Sequence, residues 1–143
     1  MFLIWSKNIT VTQIKIKQNL EKMANIPPVD IKDFMERVPM EELIAKFLDN
    51  FLKGYQVFIN EIVTSISNGD AGDIRENAHK LKGVLANLSM DKGRQLALDL
   101  EKRSGTISKE DALNIVSGIE KEIIRLKAYN GDYSELFDEY YDD

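Results

Sequence analysis

Glu76-Asn77-Ala78-His79-Lys80-Leu81-Lys82-Gly83-Val84-Leu85-Ala86-Asn87-Leu88 contains the only histidine of the chain. Extended back to residue 71, the stretch carries Ala71, Ile74, Ala78, Leu81, Leu85 and Leu88 at intervals of three and four. That period predicts an amphipathic helix with one narrow apolar stripe. At about 100° per residue, His79 lies roughly 130° from the centre of the stripe, so it points away from a core. Arg75, Lys82, Gly83 and Ala86 border it on the same helical wheel: two cations and two small residues.

A glycine inside a helix costs about 1 kcal/mol relative to alanine. Gly83 lies one turn beyond His79 with good helix formers on both sides, and access explains it. With no side chain there, another backbone or a tetrahedral anion can approach the imidazole, whose free nitrogen is nucleophilic near neutral pH. Lys82 and Arg75 are placed to hold negative charge beside it. The pattern reads as a phosphoryl-accepting histidine. The plain alternative is a surface histidine without chemistry, and the glycine and flanking cations weigh against it.

His79-Lys80-Leu81-Lys82-Gly83, followed by Ala86-Asn87-Leu88 and by Leu100-Glu101 one helix later, resembles the histidine-containing phosphotransfer (HPt) domain of multistep phosphorelays. Phe47, Phe51 and the Gly69-Asp70 turn also stand where that family usually has them, and the resemblance runs from about residue 29 to 129. One position departs from it. The family commonly has a glycine ten residues after the histidine, and here that residue is Ser89, for which a left-handed helix cap is costlier.

A chain of 143 residues fits one domain. Hydrophobic residues at 43% and charged residues at 30% are those of an ordinary soluble protein. The absence of cysteine excludes a disulfide framework and thiolate chemistry, and a single histidine excludes a multi-histidine metal site within one chain. Asp70-Ala71-Gly72-Asp73 lacks the spacing of a calcium loop. The opening Met1-Phe2-Leu3-Ile4-Trp5 is too short to span a membrane and unlike a signal peptide. Of the 24 acidic residues six lie from Asp132 onward, without a basic residue among them, and the remainder is nearly neutral. No basic stripe with interleaved aromatics points to nucleic acid.

Residues 10–17 alternate like a short strand, whereas residues 18–24 prefer helix. Pro27-Pro28 breaks the chain. Ile31, Phe34 and Val38 then predict a short first helix. From Pro39, placed in the first turn, a continuous helical period runs from Met40 through Phe47, Phe51, Tyr55 and Ile59 to Ile66 and stops at Ser67-Asn68-Gly69, with Gly54 marking a bend. Asp70 caps the His79 helix, Asp91 caps the next, which ends at Ser104-Gly105, and Ser108 opens the last, running to Asn130-Gly131. The fold expected is all-α, an up-down four-helix bundle with an additional short N-terminal helix. Its parts are an N-terminal extension or linker (1–28), the helical bundle (29–131) and an acidic and aromatic C-terminal tail (132–143), whose Tyr133, Phe137, Tyr140 and Tyr141 either pack on the bundle or stay mobile, the solvated reading being favoured.

No Gly-x-Gly-x-x-Gly, phosphate loop or Gly-x-Ser-x-Gly is present, so no ATP site is expected and the chain reads as a phosphohistidine carrier rather than an autonomous kinase. The resemblance implies that His79 accepts a phosphoryl group from the aspartyl phosphate of one receiver domain and passes it to the aspartate of another. In that reading Lys82 balances charge on the phosphoryl oxygens, Gly83 keeps the approach open, Arg75 and Lys80 assist, and Glu101 fixes the ring tautomer. It also implies no cofactor of the chain's own, Mg²⁺ carried by the receiver, response-regulator receivers or a hybrid histidine kinase as partners, a monomer, and a cytoplasmic location, free or as part of a membrane-anchored kinase. Two phosphohistidine alternatives are the dimerisation helix of a histidine kinase, which usually has an acidic residue where Lys80 stands, and a chemotaxis-type phosphotransfer domain. A helical adaptor without chemistry is the alternative from another class.

Overall fold

The computed structural model describes residues 11–13 and 26–142. Residues 11–13 are helical, against the alternation that reads as a strand; the rest of that stretch and the helix expected over 18–24 lie outside the described residues. Six further helices follow: α1 (Ile31–Arg37), α2 (Glu41–Asn68), α3 (Ala71–Asn87), α4 (Asp91–Arg103), α5 (Lys109–Lys127) and α6 (Ser134–Tyr141). No strand occurs among the described residues.

Local chemistry sets the helix ends. Asp30, Asp70 and Ser108 are N-caps whose side-chain oxygens accept the backbone N–H of Asp33, Asp73 and Asp111. α1 stops before Val38, the residue whose helical conformation Pro39 disfavours. α2 begins at Glu41, two residues beyond the proline expected in its first turn, because Met40 is still extended. It runs unbroken through Gly54 and closes on Gly69, left-handed at φ 66°. Asp91, expected as a cap, is instead the first residue of α4 after Met90, and its carboxylate accepts from Arg94 and Gln95.

The apolar stripes close into a four-helix ring. α2 packs on α3, α3 on α4, α4 on α5, and α5 back on α2. Ile44, Leu48, Ile62, Leu81, Leu85, Leu100, Ile119, Ile123 and Leu126 are fully buried between them. At Gly93 an added Cβ would meet the Leu85 side chain at 3.3 Å, so the glycine lets α4 lie close against α3. α1 rests on α2 and buries Ile31, Phe34 and Met35.

The C-terminal segment is not a solvated tail. Tyr133, Leu136 and Phe137 are buried, α6 packs against α1, and the Tyr133 hydroxyl donates to Asp49 Oδ1 at 2.6 Å. α5 is therefore not the last helix; the turn after it is made by Asn130 (φ 53°) and Gly131 (φ 82°). The six acidic residues favour solvent, but Tyr133, Leu136, Phe137 and Tyr140 share one helical face and the carboxylates take the other.

Candidate functional site

The cap at Asp70 and the stripe of Ile74, Ala78, Leu81 and Leu85 fix the rotation of α3, and His79 emerges on its outer side with 66% of its side chain exposed. A polar tie to α2 lies two residues earlier, where Asn77 Nδ2 donates to Ser65 Oγ at 2.7 Å. On the other flank α4 brings Glu101 across. His79 Nδ1 lies 2.7 Å from Glu101 Oε1, and Lys82 Nζ lies 2.7 Å from Glu101 Oε2. One carboxylate thus joins the histidine to the lysine one turn along the same helix.

The protonation pattern follows. An ionised carboxylate only accepts, so the proton of a neutral His79 resides on Nδ1 and the Nε2 lone pair faces outward. The hydrogen bond from Lys82, foremost, and that from His79 hold the Glu101 carboxyl below its usual range, against an opposing push from burial. The structure therefore brings His79, Lys82 and Glu101 together. Lys82, expected on phosphoryl oxygens, has its ammonium on Glu101.

Gly83 and Ala86 are exposed beside the ring, and a Cβ built on Gly83 meets nothing within 4 Å. Packing within the chain does not require that glycine. Arg75, Glu76 and Lys80 line a shallow depression with His79 and Glu101. A second depression, formed by Arg75, Gly72, Lys82, Glu101, Lys102 and Ser104, flanks the ion pair on its other side. Lys102 was not singled out from the sequence; its place next to Glu101 is the only signal there for it.

An apolar cleft opens on the α2 side of α3, walled by Phe34 of α1 and Val38 just after it, by Phe47, Phe51 and Phe58 of α2, and by Val84 of α3 and Leu88 just after it. Phe47 is 42% exposed and stacks on Phe34 at 6.5 Å between centroids. The helical period marks these aromatics as core; the exposed ring edges are a property of the packing that the period does not reveal.

Ser89, in the position where glycine was expected, takes up the left-handed conformation at φ 54°. Its hydroxyl donates to Asp33 Oδ2 and accepts from Arg37 Nη2, each at 2.6 Å, and Arg37 also donates to the Asn87 carbonyl. Two bonds to α1 thus hold a conformation that costs a non-glycine residue about 1–2 kcal/mol.

Among the described residues no group of three or more acidic or histidine side chains is arranged to hold a metal, and no helix is long and apolar enough to cross a membrane. The model of the Hpt domain family matches residues 46–129. No curated protein and no solved structure matches the chain. α1, the start of α2 and all of α6 lie outside the matched span.

Proposed function

The chain belongs to the Hpt domain family, whose members carry phosphoryl groups on histidine in phosphorelays and interact with the receiver domains of response regulators, and on that premise we propose that His79 is the phosphoacceptor. The observation that carries the proposal is the hydrogen bond of 2.7 Å from Nδ1 to Glu101 on a ring that is 66% exposed. It leaves Nε2 unprotonated and open to a partner.

In the transfer, the Nε2 lone pair attacks the phosphorus of a receiver's aspartyl phosphate. The N–P bond forms as the P–O bond breaks, and the aspartate leaves as a carboxylate with the bonding pair. The Nδ1 proton stays on the ring, and Glu101 offsets the positive charge that develops there. The reverse step unloads the group onto a second receiver. Mg²⁺ bound to the receiver would supply the charge that neutralises the phosphoryl oxygens during transfer. Gly83 and Ala86 leave room for the receiver's backbone, and the apolar cleft beside α3, with Arg37, Asn50 and Asn87 among its lining, offers area for docking, an apolar patch with polar edges as transient interfaces have.

The test is transfer of labelled phosphate from phosphorylated receivers to the wild-type chain and to His79→Gln. Acid-labile, alkali-stable label on the wild type alone supports the reading. A folded chain that takes no label from any of a panel of receivers would return the bundle to the adaptor class.

A further inference from the structure

We infer that Arg75, rather than Lys82, takes the charge of the phosphoryl group on His79, and that Lys82 is a positioning residue acting through Glu101; this rests on His79 being the phosphoacceptor. The spacing of Lys82 from His79 suggests a direct phosphoryl contact. The geometry points elsewhere. The Lys82 ammonium lies 2.7 Å from Glu101 Oε2, and the two side chains are only 25% and 19% exposed. Moving the lysine onto a phosphoryl group would leave a largely covered carboxylate without its cation, and removing one partner of a covered pair is costly.

Arg75 has no such tie. Among the described residues it makes no hydrogen bond or ion pair. It is the one cation that lines both depressions flanking the His79–Glu101 contact. It lies one turn toward the N-terminus of α3, where a helical side chain leans, so the His79 ring extends over the Arg75 turn. A phosphoryl group on Nε2 arrives above that guanidinium, whose planar fork matches two phosphoryl oxygens at once.

The other charges nearby agree with this placement. Lys80, adjacent in sequence, diverges from His79 by about 100° around the helix, whereas Arg75 diverges by about 40°. Lys102 lines only the depression that His79 does not. Glu76 lines the His79 depression and repels a phosphoryl group from its own side, leaving the Arg75 side favoured.

Phosphoramidate tests the assignment without a receiver. The N–P bond to His79 forms as the P–N bond of phosphoramidate breaks and ammonia leaves. Phosphorus NMR of the labelled full chain, followed against pH, then reads the second ionisation of the phosphoryl group, which a contacting cation favours. Arg75→Gln is expected to raise that midpoint by roughly half a pH unit, the size of one partly solvated charge contact. Arg75→Lys restores much of the shift. Lys82→Met moves the midpoint less than half as far but slows labelling, and does so no further when Glu101→Gln is already present. A midpoint that follows Lys82 and ignores Arg75, or that follows neither, overturns the assignment. Wild type that takes no label on His79 overturns it together with the phosphoacceptor reading. Exchange with receivers is read in a separate assay, so a failed relay and a failed Arg75 assignment are told apart.

Discussion

At the scale of single residues, Gly83 separates folding from docking. Because an added Cβ meets nothing, Gly83→Ala is expected to stabilise the chain by about 0.5–1 kcal/mol through helix propensity alone. On the proposed function the same methyl group meets the docking receiver, so transfer from a receiver is expected to slow while labelling by phosphoramidate is unchanged. Urea unfolding and the two labelling rates check this, and equal slowing with both donors would assign Gly83 to the chemistry. Glu101 adds a pH dependence. Its carboxyl titrates below the usual 4.5, so its contribution to stability is complete above that value and is lost as pH falls through the lowered one. Glu101→Gln is therefore expected to be less stable than wild type at pH 7, with the gap closing as pH falls through that lowered value; a gap that does not narrow in acid would contradict the pairing. His79 and its small neighbours were legible in the sequence because a lone histidine opposite an apolar stripe needs only the helical period to be seen. The commitment of Lys82 to Glu101 was not, since a period gives the face of a helix and not what crosses to it from the next.

At the scale of elements, the end of α3 shows a missing glycine offset by neighbours. Ser89 is left-handed, only 5% exposed, and bonded through its hydroxyl to Asp33 and Arg37 of α1. Ser89→Gly removes the backbone strain along with the two bonds, whereas Ser89→Ala removes the bonds and keeps the strain. Alanine is expected to cost about 1 kcal/mol more than glycine, a reversal of the usual helix ranking. Denaturation midpoints of the two variants decide it, and alanine equal to or better than glycine would contradict the strained conformation. The sequence foresaw the difficulty at Ser89 but not its remedy, because Asp33 and Arg37 lie more than fifty positions away and their carboxylate and guanidinium are indistinguishable there from ordinary surface charge. Helix α6 was missed for another reason. Six acidic residues drew the reading toward solvent, yet the spacing of Tyr133, Leu136, Phe137 and Tyr140 carried the same helical signal that identified α2 and α5. Here the period is a better guide to burial than the composition.

At the scale of the whole molecule, α1 and α6 clamp the end of the bundle where α2 begins, outside the span shared with the family, and Tyr133 joins α6 to α2. Tyr133 is 3% exposed, and burial, then its hydrogen bond to Asp49 and the charge of that carboxylate, raise its phenol above the ordinary value of 10.0. In the unfolded chain the same phenol ionises near that ordinary value. Below it both states are protonated and the contribution of Tyr133 is complete. Above it the unfolded chain binds fewer protons than the folded one, so stability declines as pH rises, by at most about 1.4 kcal/mol per unit for this group. Tyr133→Phe leaves Asp49 without its donor and is expected to cost about 1–2 kcal/mol at pH 8. It also removes a titrating group from the unfolded chain. The stability curves of wild type and variant should therefore converge between pH 10 and 11.5, with a residual slope in both from Tyr129, whose phenol burial also raises. Guanidinium midpoints measured at half-unit intervals across that range read the convergence directly. Curves that stay parallel would mean that Tyr133 ionises as easily in the folded protein as in the unfolded chain, and α6 would then not be sealed against α2.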